Sequence, residues 1–323
     1  PGMDPVLFDL GTGLRYFGQT QPPDEPFRGT CLLSHLHWDH IQGLPFFKPF
    51  LRPGAHVTIY APVQPGDITV ADVFADTIKP PLFPIHFSMF PGMVDLHEIG
   101  DDEFTIGDAK VMTRLIPQVG HTVGYRVERG GRSVVYMSDH QMPADGSHSA
   151  WPGVLELCAG ADLLIHDAQY LASEYGDHIG WGHSTVEYVV DIARRADVAR
   201  VALYHHDPNR TDSDVDELVA RARAHAAACG YSGEIFAAEE GMTIELGGDV
   251  VRRVPDDRRG QRVATSALVA PSTSVVVFAR SPGIAEVLGE VARAEQLDVI
   301  VLDDLRASSN SVPSCVRGCF AVP

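Results

Sequence analysis

Ser34-His35-Leu36-His37-Trp38-Asp39-His40 is the stretch on which the reading of this chain turns. Four metal-capable side chains fall within six residues, directly after the apolar run Cys31-Leu32-Leu33. That run predicts a short buried strand that delivers the four groups at its C-terminal end. On extended chain, residues two apart point the same way, so His35 and His37 share a side. Asp39 and His40 then need a turn, and Gly43 and Pro45 suit the loop that follows. Neutral imidazoles with a carboxylate are the donor set of zinc and similar transition metals. A lone histidine at a strand end is usually structural; four donors at this spacing point to a metal.

The totals bound what such a site can serve. At 323 residues the chain can bury a full core in one large domain or two. Its 45% hydrophobic and 21% charged residues describe an ordinary globular protein. No apolar run reaches membrane-spanning length, and the N-terminus lacks a basic-then-apolar signal pattern, so no membrane association is expected. The formal charge of -18 argues against broad electrostatic binding to nucleic acid. Only three lysines occur (Lys48, Lys79, Lys110), with no basic cluster to grip an RNA. The expected partner is a small anionic substrate, and a homodimer is admitted as an assembly. Five scattered cysteines form no disulfide framework, which makes a reducing cytoplasm the expected compartment.

Along the chain, Val6 to Gly13 reads as a buried strand closed by a glycine turn. His56 to Ala61 alternates like a strand, and residues 67 to 78 suit a helix with Val70, Val73 and Phe74 on one side. Pro80-Pro81-Leu82-Phe83-Pro84 reads as a surface loop. Four strand-like runs follow, Phe104–Ile106, Lys110–Ile116, Thr122–Val127 and Ser133–Met137, with hairpin turns at Gly107-Asp108 and Gly130-Gly131. Ala161–Ile165 and Val201–Tyr204 read as buried strands. Between them, Ser184-Thr185-Val186-Glu187 reads as a capping box that opens a helix. Val215, Leu218, Val219 and Ala222 mark another helix, and the strands Ile235–Ala237 and Met242–Leu246 close this part. Strands first, then alternating strand and helix, suit two packed sheets with helices outside. Residues 1–246 are thus taken as one domain, 247–273 as a Gly/Arg/Asp/Ser/Pro-rich linker, and 274–323 as a partial strand-helix-strand α/β unit. No GxGxxG opens that last helix, so no dinucleotide site is assigned. Cys315 and Cys319 are weak evidence for a metal.

The HxHxDH pattern at 35–40 resembles the signature of the metallo-β-lactamase-fold hydrolases, and later stretches repeat the match in order over roughly residues 6 to 246. The similarity is closest to the phosphodiesterase-like branch that includes ribonuclease Z. It implies an αββα sandwich, α/β in class, and two divalent metal ions, zinc first and manganese second. It also implies that a strand pair precedes Val6 in relatives. Carried over by motif, His35, His37, Asp39 and His40 are metal ligands. Asp139, in Tyr136-Met137-Ser138-Asp139-His140, corresponds to the carboxylate that bridges both metals. His205, aligned on Pro208, corresponds to a terminal ligand, while His206 has the opposite strand parity and is expected beside the site or at the surface.

One ligand position departs from the pattern. Relatives carry a histidine seven residues before the tyrosine of Gly-Tyr-Arg; counting back from Tyr125 gives Gln118. His121 stands three residues on and is the alternative ligand, and the sequence leaves the choice open. Two further motifs imply an acid: Asp167 in His166-Asp167-Ala168-Gln169 is expected to orient His183 in Gly180-Trp181-Gly182-His183. Phosphodiester cleavage expels an alkoxide that needs a proton, and a carboxylate-paired imidazole can supply it. Asp39, His183 and Asp167 are therefore the catalytic candidates. The leading expectation is a metal-dependent phosphodiesterase acting on a small, cyclic or linear, phosphodiester. Hydrolysis of a lactone, thioester or β-lactam on the same metals is the enzymatic alternative. A metal-binding regulatory module without turnover is the non-enzymatic one, favoured by Gln118.

Overall fold

A computed structural model describes residues 4–246, 274–278 and 298–302. In chain order its elements are β1 (Val6–Phe8), α1 (Leu14–Thr20), β2 (Arg28–Leu32), α2 (Trp38–Ile41), β3 (His56–Pro62), α3 (Val70–Thr77) and β4 (Met93–Ile99). Then come β5 (Glu103–Ile106), β6 (Ala109–Ile116), β7 (Thr122–Arg129), β8 (Arg132–Met137), α4 (Pro152–Cys158), β9 (Leu163–Asp167) and α5 (Val186–Arg195). The series ends with β10 (Arg200–Tyr204), α6 (Asp212–Cys229), β11 (Glu234–Ala237), β12 (Thr243–Leu246), β13 (Ser274–Phe278) and β14 (Asp298–Leu302).

The strands form two seven-stranded sheets, ordered β12-β13-β14-β1-β2-β3-β4 and β11-β10-β9-β8-β7-β6-β5. From β13 to β4 every pairing in the first sheet is parallel. In the second, β5 to β8 are antiparallel and β8 to β11 parallel. Glycine makes the antiparallel part possible: Gly130 and Gly131 both take positive φ in the two-residue turn between β7 and β8.

Three apolar layers hold the sandwich together. Val6, Phe8, Leu32, Tyr125, Tyr136 and Ile165 meet between the sheets. Leu7, Cys31, Leu33 and Ile59 point to the opposite face of the first sheet, where α1 and α3 bring Leu14, Phe17, Val70 and Phe74. Val135, Met137, Leu164 and Leu203 back onto Val154, Val189 and Leu218 of α4, α5 and α6. Alternate residues of β8 thus serve two cores, which is why the strand reads as one apolar run in the sequence. The result is the αββα sandwich. Tyr125, on the second sheet and fully buried, ties the layers by offering its hydroxyl to the Leu33 and Tyr60 carbonyls of the first at 2.7 and 3.1 Å.

Some local expectations need correction. The glycine turn expected after β1 is present at Gly11–Gly13, and it leads directly into α1, which was not expected. β4 is an edge strand that was not expected, although Val94-Asp95-Leu96-His97 alternates apolar and polar; its side chains are mostly exposed or half-exposed. α5 is capped by the Thr185 hydroxyl, which accepts from Tyr188 N, and not by Ser184, whose hydroxyl donates to the His140 carbonyl. β13 and β14 fall where strands were expected, and they pair with β12 and β1 in the first sheet. The linker 247–273, the helix expected after residue 280, and Cys315 and Cys319 lie outside the described residues. No helix among the described residues is long and apolar enough to cross a membrane.

The loop after α2 is locked onto the end of β1 by Leu10 N to His40 O at 2.8 Å and Gly43 N to Leu10 O at 2.7 Å. A Cβ on Gly43 would stand 1.7 Å from the Gly11 carbonyl oxygen, whereas one on Gly100 would meet nothing within 4 Å. Gly43→Ala is expected to destabilise by roughly 1–3 kcal/mol through forced backbone displacement, and Gly100→Ala by less than ~0.5 kcal/mol. Urea unfolding of both variants checks this; equal midpoints would refute it.

Candidate metal centre

The candidate donors gather where parallel strands end. Asp9 follows β1, His35 and His37 follow β2, Asp39 and His40 open α2, Asp139 follows β8, and His205 follows β10. Ligand sites in α/β sheets form outside the carboxyl ends of strands, where loops are free to turn side chains inward. HxH lies on extended chain as expected, with His37 at φ -62 and ψ 152 and the His35 and His37 rings 4.4 Å apart. Helix α2 then makes the turn that brings Asp39 and His40 back to the same spot.

Two cradles result. His35, His37 and Asp139 offer ligand atoms within 4.8 Å of one another, and so do Asp39, His40 and His205. Asp139 links the two: one carboxylate oxygen is 3.3 Å from His35 Nε2, the other 3.2 Å from His205 Nε2 and 3.5 Å from His40 Nε2. Asp39 lies 3.2 Å from His40 Nε2 and 3.4 Å from His205 Nε2. Asp9, Asp139 and His205 all have positive φ, at 61, 54 and 51°. That left-handed conformation is costly for residues other than glycine, and it is tolerated here because the strand ends and the cluster over-determine it.

Electrostatics within the cluster favour bound cations. Burial alone would raise the Asp139 carboxyl, but His205, His40 and His35 outweigh it and hold the group well below the usual range. Asp39 is likewise depressed, with burial opposed by hydrogen bonds to His205 and His40. Against burial, Asp139 and Asp39 push His205 up to about 9, and Asp139 and Asp9 raise His40. His35 moves the other way, lowered by burial and by the neighbouring His40. Its Nε2 is buried without a hydrogen bond of acceptable geometry, although it faces Asp139. A buried imidazole nitrogen aimed at a shared carboxylate, amid side chains that draw positive charge, fits a divalent transition metal.

Surrounding groups fix the ring directions, and the sequence analysis missed most of them. Asp9, 3% exposed, accepts from His40 Nδ1 at 2.7 Å, which leaves His40 Nε2 for the cluster. Ser34 Oγ lies 3.0 Å from His35 Nδ1, and Ser138 donates to Asp139 at 2.8 Å. Gln169 Nε2 lies 2.6 Å from His205 Nδ1 and fixes the direction of that ring, with His205 Nε2 on the side of Asp139 and Asp39. The only signal for Asp9 was an acidic residue at the end of an apolar run, and Gln169 had none beyond its place after β9.

At the open position, Gln118 is the residue that stands beside His37. Its Nε2 is 3.4 Å from His37 Nδ1, while its oxygen accepts from Thr122 at 3.1 Å. His121 is a correction: its Nδ1 donates to the Val63 carbonyl at 2.8 Å, and it joins none of the potential metal-holding groups among the described residues. The short loop before β7 turns its ring away from the strand ends. His206 is buried rather than exposed. Asp167 and His183 do meet, at 3.0 Å between Oδ2 and Nδ1. His183 also offers an atom within 4.8 Å of Asp139 and His205, so it stands at the edge of the cluster. Asp167 is fully buried yet held down to about 2, burial being outweighed by hydrogen bonds to His166 and His183.

Comparison with known proteins identifies the family. A family profile described as "Beta-lactamase superfamily domain" matches residues 5–206. The chain is similar to Ribonuclease Z of Haloarcula marismortui, 34% identical over 74% of this chain and 86% of that protein. It is also similar to Ribonuclease Z of Natronomonas pharaonis, 25% identical over 75% of this chain and 89% of that one. Among solved structures it is similar to the metallo-β-lactamase fold protein YhfI from Bacillus subtilis, at 21% identity and a TM-score of 0.47 over 65% of this chain and 74% of that one. On the strength of the profile and the Haloarcula relative, the chain belongs to the metallo-β-lactamase superfamily and is a metal-dependent hydrolase of its ribonuclease Z-like branch.

Proposed function

We propose that this hydrolase is a phosphodiesterase for small phosphodiesters, in which His183 protonates the leaving alkoxide and Asp167 positions it. The observation that carries the reading is the Asp167–His183 pair, 3.0 Å apart at the edge of the ligand cluster. In the family this chain resembles, ester and amide cleavage does not generally rely on such a pair. The family implies divalent ions, here two, zinc first and manganese second; held by His35, His37 and Asp139 and by Asp39, His40 and His205, they would supply Lewis acidity and an acidified water.

The remaining roles belong to side chains. Asp39, kept ionised, accepts a hydrogen bond from the attacking water and aligns it. Asp167 stays ionised and accepts the Nδ1 proton of His183, so the other ring nitrogen is the one that donates. Gln118 weakens the first cradle, since a carboxamide is a poorer donor than imidazole. That weakness also favours a second reading, a metal-binding module with little turnover.

Relatives named Ribonuclease Z keep RNA within the substrate class. The charge of -18 favours something smaller, because a polymer would meet repulsion over a wide surface. Trp38 beside His37 and Trp181 beside the His183 loop are 55% and 62% exposed, and such indoles can stack a nucleobase. Turnover of bis(p-nitrophenyl) phosphate, a 2′,3′-cyclic nucleotide and a tRNA precursor tests the substrate side by side. Preference for the tRNA would overturn the small-substrate part. Lactone turnover without any phosphodiester turnover would overturn the whole.

His183→Ala is expected to keep its metals while losing about 10²–10⁴-fold with alkyl leaving groups and far less with p-nitrophenolate. A uniform loss across leaving groups, tracking lower thermal stability, would mark His183 as structural. Gln118→His is expected to tighten metal binding in the first cradle, read by zinc titration, while His121→Ala leaves it unchanged. Loss of zinc in His121→Ala would show that the ligand had been misplaced. Chelation of the purified enzyme should abolish turnover and lower its melting temperature, both restored by zinc or manganese.

A further inference from the structure

A second group of donors lies outside this centre. His148 in the loop between β8 and α4, Asp191 on α5 and His225 on α6 offer ligand atoms within 4.8 Å of one another. The Asp191 carboxylate stands between the two imidazoles. One oxygen contacts His148 Nδ1, and the other is 3.1 Å from His225 Nε2. The rings lie 6.1 Å apart, and the face of His148 meets the buried Tyr188 ring edge-on at 5.8 Å. The three side chains are 15 to 30% exposed, half-buried but open to solvent on one side.

We propose that His148, Asp191 and His225 form an additional divalent-metal site of the zinc class, separate from the catalytic cradles. Two imidazoles and a carboxylate are a zinc donor set, and ligands about 2.0–2.1 Å from a tetrahedral ion sit roughly 3.3 Å apart. The 3.1 Å separation of His225 and Asp191 already matches that spacing. The solvent-facing side leaves room for a water as fourth ligand. Two cationic groups oppose the ion: Arg194 Nε lies 4.0 Å from Asp191, and Arg195 donates to the His148 carbonyl at 3.0 Å. They set a limit on affinity, and both contacts are to oxygen atoms, not to the imidazole nitrogens.

The consequence is mechanical. The loop that carries His148 begins at Asp139, and α5 begins just after His183 and the Thr185 cap. An ion here would pin that loop to α5 and α6 together, three segments that otherwise meet through α4–α5 and α5–α6 packing. It would hold the two catalytic loops in register from behind without touching substrate.

The test counts zinc bound to the full chain after equilibration at low free zinc, with zinc the only metal added. Wild type is expected to hold one more equivalent than His225→Gln or Asp191→Asn. The zinc-induced rise in melting temperature should also be smaller in both variants, by roughly 5 °C when zinc is held 100-fold above its Kd for this site. Equal stoichiometry and equal shifts in all three proteins would overturn the proposal and leave the group a hydrogen-bonded His–Asp–His cluster. Should the variants fold poorly, zinc binding to His35→Ala/Asp139→Asn/His205→Ala, which removes ligands from both cradles, decides independently. One remaining equivalent that protects His148 and His225 from diethylpyrocarbonate supports the site, and no remaining equivalent, or no protection, overturns it. None of these readouts depends on turnover, so they stand apart from the proposed phosphodiesterase activity.

Discussion

A single buried carboxylate organises the centre. Asp9 accepts from Ser34 N at 2.6 Å, Ser34 Oγ at 3.0 Å, His40 Nδ1 at 2.7 Å and the Tyr136 hydroxyl at 2.6 Å. Two of these donors lie in the loop that follows β2, the third is on α2, and the fourth comes from β8 on the opposite sheet. A buried charge is tolerated only when its lone pairs are satisfied, so the sheets must approach in the one register that brings Tyr136 over the end of β1. The same contacts turn His40 so that its second nitrogen points outward. Fold and site are thus coupled through one side chain.

From there the chemistry depends on convergence. Donors from β2, α2, β8 and β10 meet at one end of the sandwich, and none of these segments could hold a metal alone. The positive φ of Asp139 and His205 is the local cost of turning both strand ends inward. A metal bound across the two sheets recovers that cost in the folded state only, which links occupancy to stability. The Asp167–His183 pair at the rim follows the same logic: Asp167 ends β9, His183 precedes α5, and Ser184 N donates to Asp167 Oδ2 at 3.2 Å so that the carboxylate holds both the ring and the backbone beside it.

Metal binding and substrate choice pull the electrostatics in different directions. Carboxylates near the cluster attract cations strongly, while the overall charge of -18 discourages long polyanions. Loaded with divalent ions, the centre becomes a local positive spot on an acidic protein. That pattern is the ground on which a compact anion, and not a nucleic acid, is proposed as substrate.

The chain by itself determined what is local. HxHxDH identified the cluster because its donors lie within six residues, and alternation and glycine turns identified β3 and β5 to β8. The resemblance extended this to Asp139, Asp167, His183 and His205, whose separation along the chain hides any geometric signal. Tertiary structure alone decided the rest. Asp9 became the organiser through Tyr136, 127 positions away, and Gln118 rather than His121 came to stand beside His37 because the loop before β7 turns one inward and the other to Val63. β4 forms because β3 offers it an edge on which its alternating Val94 and Leu96 can pack. His148, Asp191 and His225 meet only because α5 and α6 pack side by side under that loop. Periodicity reports which face of an element is buried, but which distant side chains share a point in space is fixed by packing between elements.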